Sequence, residues 1–243
     1  MSLKNLKFQI VLFSNQSAID PSPENIKKCI DYFMADGFMP SSVQEMDVMA
    51  GTSTPRLSLQ SSSLGMTFNF LSNRIDITRQ LGMPGVPDCG NINDYVSATL
   101  NVVSKVTDVF NMAFNRASLI SEYMFDNVPT EKLESVRMCF LPQPVLGASQ
   151  VTEWGIRSVE RFDSLGESKE SINLVCNVAQ QALQIIEGTN YRETQAILVQ
   201  VDLNTVPEGS DYRFSKRHRE KFYADAIPLH DAVLEAMKAR VNG

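Results

Sequence analysis

Histidine and tryptophan are scarce in this chain, with two and one respectively in 243 residues. His218 and His230 lie on helical sequence with no HExxH arrangement around them, and no cysteine pair accompanies either, so the spacing of a hydrolytic metal site is missing. They read as surface helix residues. The four cysteines, Cys29, Cys89, Cys139 and Cys176, contain no CxxC pair. That spacing argues against a disulfide framework and against a zinc ligand set, and the expected role is dispersed, mostly buried thiol. Cys139 and Cys176 sit in apolar sequence, whereas Cys89 falls in a Gly/Pro loop and is the thiol expected near solvent. No GxSxG elbow, GK[ST] phosphate loop or GxGxxG fingerprint is present, so no catalytic residue and no cofactor is assigned. No apolar run approaches the ~20 residues that span a bilayer. The run Phe8 to Phe13 is also too short for a signal-peptide core, so a cytoplasmic location is expected and no membrane partner. Whether Ser2-Leu3 is native or a cloning remnant stays open.

What is present is ordinary for a globular protein: 43% hydrophobic and 21% charged residues. The net charge of −6 argues against charge-driven binding to nucleic acid, although it leaves room for a local basic patch. A chain of this mass can bury roughly 70% of the surface its unfolded form exposes, so a core needs no covalent staples.

Periodicity sets out the elements. "LKFQIVLF" (6–13) reads as a strand. Ser22-Pro23-Glu24 then opens a helix, with Ser22 as cap and Pro23 at the first helical position, and Gly37 closes it. Residues 42–49 and 56–60 are strand candidates, and "GMTFNFLSNRIDITRQ" (65–80) is a hairpin turning at Ser72-Asn73. Met66, Phe68, Phe70, Ile75 and Ile77 fall on one face of it, and Arg74, Asp76 and Thr78 on the other. "LGMPGVPDCGNIN" (81–93) breaks the pattern. A long helix is expected over 93–114, a strand over 116–125, and a short helix over 129–140 capped by Thr130 and ended by Pro142 and Pro144. Strands follow at 153–162, 170–178 and 195–203, while the stretch from 178 to 186 fits strand or helix. The last segment, 214–241, is helical from a Ser215 cap, with Pro228 implying a kink or break.

These elements define an α+β fold of mostly antiparallel sheets in two halves, each covered by helices, with a long C-terminal helix. The expected organisation is an N-terminal half at 1–80, a Gly/Pro loop at 81–92 and a C-terminal half at 93–243, with one integrated domain as the alternative. An internal duplication is conceivable, but no residue-by-residue self-match supports it.

Four stretches carry a resemblance: "TPRLSLQSSSLGMTFNFLSNRIDI" (54–77), "RASLISEYMFDN" (116–127), "AILVQVDLNT" (196–205) and "FSKRHREKFYADAIPLHDAVLEAM" (214–237). In this order they resemble a sporadically distributed family of bacterial proteins of about this length and of uncharacterised function. The central stretch departs from the family pattern, with Ala117-Ser118 where a glycine and more aromatics are usual. The resemblance implies an α+β fold and a cytoplasmic bacterial protein, and it transfers no catalytic residue.

Two sets of candidate site residues follow. Arg74, Asp76, Arg116, Glu122 and Arg157 are polar positions on alternating strands and are candidate liners of a ligand or partner site between the halves. Asp202, at the end of the best core strand, is the best single acid, with turn formation beside Asn204 as the commoner role. Lys216, Arg217 and Arg219, beside His218, form the one basic cluster, at a helix start where the dipole favours an anion; a solvated helix end is the plainer reading. The functional expectation is a non-enzymatic protein-interaction or binding module whose partner is another protein or a second copy of itself. The alternative is a small-ligand-binding protein or an enzyme with an unrecognised site between the halves.

Overall fold

The computed structural model describes residues 2–141, 151–187, 190–207 and 212–242. In chain order the elements are β1 (Ser2–Phe13), α1 (Pro23–Phe33), β2 (Met39–Asp47), β3 (Thr52–Ser61), β4 (Met66–Phe70), β5 (Arg74–Gln80) and α2 (Ile92–Phe110). There follow β6 (Arg116–Asp126), α3 (Thr130–Phe140), β7 (Trp154–Leu165), β8 (Glu170–Glu187), β9 (Asn190–Thr205) and α4 (Lys216–Asn242). The α+β class and the long C-terminal helix are as expected. The strands form one nine-stranded sheet in the order β2-β3-β4-β5-β1-β6-β9-β8-β7, and every described pairing is antiparallel.

The sheet is continuous because β1 and β6 pair along their whole lengths. Ser2 lies opposite Asp126 and Phe13 opposite Arg116, with a bulge between Asn5 and Lys7. Each central strand is followed by a helix, then by a meander that returns beside it, then by a second helix.

Alternation along the strands separates two faces. One carries Phe8, Ile10, Leu12, Phe68, Phe70, Ile75, Ile77, Leu119, Tyr123, Val199, Val201 and Leu203, all at most 2% exposed. The helices touch this face: Tyr95 of α2 meets Phe8, Phe110 of α2 meets Phe70 and Phe33 of α1, Phe140 of α3 meets Trp154, and His230 of α4 meets Tyr123. Removing this apolar area from water is the main source of stability.

Tyr95 does more than fill space. Its hydroxyl accepts from the Ile10 amide at 3.0 Å and donates to the Ile77 carbonyl at 2.6 Å, so it bridges two cross-strand partners of β1 and β5. Burial pushes the phenol above its ordinary range, so it stays a neutral donor. At the sheet edge, Glu45 of β2 accepts from Arg56 Nε at 2.7 Å, from the Ser72 amide at 2.9 Å and from Ser72 Oγ at 2.6 Å. This carboxylate ties the edge hairpin to the turn between β4 and β5. At the other end, Asp225 of α4 accepts from the amides of Glu167 and Ser168 in the β7–β8 turn. Gly166 in that turn has φ +52, and a Cβ there would meet the Asp225 carboxylate at 2.0 Å, so a larger residue would be strained and would displace that carboxylate from the turn.

Several expectations change. Ser22 does cap α1, its hydroxyl accepting from the Asn25 amide. Thr130 does not cap α3: it is the first helical residue, Pro129 stands at the cap, and no side-chain cap bond forms. Pro142 and Pro144 lie outside the described residues. The stretch from 178 to 187 continues as strand. Pro228 sits inside one helix instead of dividing two. Phe222, Tyr223 and Ala226 before it and Met237 and Val241 after it are buried, and that packing outweighs the roughly 3 kcal/mol that an interior proline costs. His230 is 2% exposed, not a surface residue. Cys89 is fully buried, and burial pushes its thiol up to about 11. Cys139 is the exposed one.

Two stability predictions follow. Tyr95→Phe removes the bridging hydroxyl and leaves the Ile10 amide without an acceptor, so urea unfolding should show a loss of about 1–3 kcal/mol. For Glu45, burial alone would raise the pKa, but the bonds from Ser72 and Arg56 prevail and bring it to about 2. A depressed carboxyl pKa stabilises the fold above the unfolded-state value and loses that contribution as pH falls toward about 2. Glu45→Gln should therefore be less stable than wild type at neutral pH and converge on it in acid. A constant gap between the two across the acid range would refute this.

Candidate functional site

The second face of the sheet is polar, and its floor is built by register. Arg157, Asn177, Gln200, Glu122 and Lys7 are successive cross-strand partners on β7, β8, β9, β6 and β1. Asn177 donates to Gln200 at 2.7 Å, Gln200 to Glu122 at 3.1 Å, and Lys7 to the same Glu122 oxygen at 3.3 Å. A second row runs through Arg161, Asn173, Asn204, Ser118, Val11, Asp76, Asn69 and Ser58. Within it Arg161 donates to Asn173 at 3.1 Å, Asn173 to Asn204 at 3.3 Å, and Ser58 to Asn69 at 2.9 Å. At about 4.8 Å per strand, this row spans about 34 Å.

The middle of this floor is a depression of about 290 Å³ at the β1–β6 seam. Gln9, Val11, Phe13, Arg74, Asp76, Arg116, Ser118, Ile120, Asp202 and Asn204 line it. Phe13 lies directly across from Arg74 on one side and Arg116 on the other. The Arg116 guanidinium stands 4.5 Å from the Phe13 ring centroid and donates to the Thr205 carbonyl at 3.3 Å. Arg74 Nε donates to Asp76 at 2.9 Å, and Ser118 Oγ donates to Asp202 at 2.6 Å. Two arginines, two carboxylates and one aromatic ring thus share a small cavity, each held by a neighbour.

Burial shapes the electrostatics. It raises the Asp76 carboxyl above its ordinary range, against the opposing pull of Arg74 and Lys7. It also lowers the Arg116 guanidinium, an effect that Asp202 counters and Arg213 reinforces. The groups cluster because they lie on one face of one sheet, and they are partly desolvated, which strengthens any charge-assisted bond formed there.

Of the five strand residues proposed from sequence, Arg74, Asp76 and Arg116 meet in the depression. Glu122 lies on the same face in the neighbouring row, paired with Lys7 and Gln200. Arg157 lies farther out on edge strand β7, exposed. Asp202 joins the depression and does not turn the chain. Phe13, Gln9 and Ser118 were missed: each lies on the polar face by alternation, but only the β1–β6 register brings them beside Arg74 and Arg116.

The basic cluster divides. Lys216 and Arg217 are exposed, while Arg219 is 3% exposed. Lys216 and Arg219 line a second cavity of about 250 Å³, and Arg217 does not. His218 turns the other way, its Nε2 2.8 Å from Glu170, which also binds Arg213. A wider groove of about 610 Å³ lies along α1 and α2, where Lys27 pairs with Asp31 and Lys28 with Glu24, as ordinary i,i+4 surface pairs do. Among the described residues no three His, Cys, Asp or Glu side chains gather as a metal site, and no helix is long and apolar enough to cross a membrane.

No family model matches the chain, and no curated protein is significantly similar to it.

The Arg74–Asp76 pair has a testable electrostatic consequence. Arg74→Met removes the counter-charge from a carboxyl already raised by burial, so the Asp76 titration midpoint, followed by carbon-detected NMR, should move further up. An unchanged midpoint would show that the pair is decorative.

Proposed function

We propose that the protein is a binding module whose polar sheet face receives a segment of another polypeptide, or of a second copy of itself, across the β1–β6 seam. One observation carries the reading: Arg74, Asp76, Arg116, Asp202 and Phe13 converge on one depression within a floor of asparagine, glutamine and serine side chains. Amide and hydroxyl ladders offer both donors and acceptors, which is what a polypeptide backbone needs. The two arginines offer forked donors to carboxylates, the two aspartates accept from basic side chains, and the Phe13 ring gives an apolar contact at the centre. A floor about 34 Å wide suits an extended segment better than a metabolite. In this reading the sheet consists of two related halves, each with its helices on the apolar face, and the site is where the halves meet.

The ionisable groups support binding over catalysis. Burial raises Cys29 and Cys89 to about 11, which leaves no activated thiolate there, and it lowers buried His230 and so favours its neutral form. The second reading is a small polar ligand seated in the depression, favoured by its volume of about 290 Å³, near the lower bound for small-molecule sites.

A random peptide library displayed on phage and panned against the immobilised protein tests the proposal. Wild type should enrich peptides carrying both acidic and basic residues. Their affinity should fall about tenfold in Arg116→Ala and in Asp202→Ala, the worth of one charge-assisted bond. Enriched peptides that bind the variants equally, or no enrichment at all, would overturn it. A thermal shift with small metabolites, abolished by the same substitutions, would move the conclusion to the second reading.

A further inference from the structure

We propose that the cavity at the start of α4 binds a phosphate-class oxyanion, at a site separate from the polar sheet face and independent of its function. Three observations meet there.

The first is a buried cation without a counter-charge. Arg219 is 3% exposed, yet no carboxylate lies within ion-pair distance of it among the described residues. Its guanidinium donates once, from Nη1 to the Phe214 carbonyl at 2.8 Å, and lies 5.3 Å from the Phe114 ring centroid. Its Nε is buried with no acceptor. Burying an ionised group without a partner is costly, and folds normally supply one. Here the described residues leave that place open, beside a cavity of about 250 Å³ that Arg219 itself lines.

The second is the helix end. α4 is 27 residues long, and its first turn borders the same cavity through Ser215 and Lys216. The His218 amide is satisfied by Ser215 Oγ and the Arg219 amide by the Ser215 carbonyl. The amides of Lys216 and Arg217, the first two residues of α4, have no carbonyl one turn back within the helix to bond, and the helix dipole adds positive potential there.

The third is the lining. Lys216 is exposed at the rim and adds a mobile ammonium to the fixed guanidinium. One acid, Asp108 of α2, lines the wall as well. The two cations outnumber it, but it opposes an anion. Its removal is therefore a direct test of whether the cavity works by charge.

Inorganic phosphate titrated at constant ionic strength, with acetate in a parallel series, is the probe. Binding is followed through the backbone amide shifts of Lys216 and Arg217. Saturable shifts with phosphate alone assign a phosphate site, and shifts with both assign a general oxyanion site that carboxylates share. Arg219→Met keeps the volume and removes the charge, and it should weaken binding by about tenfold or more. Lys216→Ala, at an exposed position that leaves the fold intact, should weaken it severalfold, whereas Asp108→Asn should tighten it. Shifts that grow linearly without saturation for both anions, or saturable binding unaltered by Lys216→Ala and Asp108→Asn, would overturn the proposal. Arg116→Ala should leave phosphate binding unchanged, which separates this site from the one on the sheet.

Discussion

The pairing of β1 with β6 is the constraint on which the rest of the molecule depends. These strands are distant in sequence, yet they join β2-β3-β4-β5 to β9-β8-β7 in one hydrogen-bonded surface. Without that seam there would be two small sheets, each with an open edge at its centre and each exposing a row of unpaired backbone groups. With it, Arg74 and Arg116, from separate hairpin systems, come to flank the same Phe13 ring. Tyr95 reinforces the neighbouring β1–β5 junction from below, carrying a hydrogen bond between strands through its hydroxyl. The central strand is therefore held on both sides, and the candidate site inherits that rigidity.

A sheet with one apolar face and one polar face must keep the polar face wet and still resist collapse or aggregation. This one does so by satisfying polar groups sideways. Asn177, Gln200, Glu122 and Lys7 bond along one row, and Arg161, Asn173 and Asn204 along another. A ligand that settles there must exchange bonds with these groups instead of filling empty ones, which favours selectivity over raw affinity. Affinity then has to come from the centre, where Arg116 is half-buried against Phe13 and where desolvation strengthens each charge-assisted contact. In the proposed binding role, most of the floor would set orientation and the depression would supply the energy.

Local signals in the sequence were reliable where one side chain decides one backbone event. Ser22 followed by Pro23 marked the start of α1, Ser72-Asn73 marked the hairpin turn, and the alternation of Met66, Phe68, Phe70, Ile75 and Ile77 assigned the two faces. The signals failed where a distant element decides the environment. A Gly/Pro loop suggests exposure, but the loop containing Cys89 folds against Arg79, whose carbonyl lies 4.0 Å from the thiol sulfur, and the thiol is buried. His230 looked like a surface helix residue because no nearby sequence announces Tyr123, whose hydroxyl lies 2.6 Å away. Half of the site was legible for the same reason. Alternation put Arg74, Asp76 and Arg116 on polar faces, but the register that gathers them with Phe13, Ser118 and Asp202 spans most of the chain.

The two arginine environments show how one residue type serves two ends. Arg116 is partly solvated, stacked on an aromatic ring and close to Asp202, so its charge is compensated before anything binds. It can recognise a partner without being stressed in the free protein. Arg219 is almost wholly enclosed, and the carboxylates that ease its charge, Glu220 and Asp108, act at a distance and not through contact. Burial lowers its pKa, but a guanidinium remains protonated, so the free protein carries a buried charge whose direct contacts are the Phe114 ring and the Phe214 carbonyl. An anion in the adjoining cavity would relieve that cost, and the relief would add to its affinity. In the two proposed roles Arg116 would give selectivity through arrangement and Arg219 affinity through an unbalanced charge; the two residues lie apart, one on the open face of the sheet and the other where α4 begins.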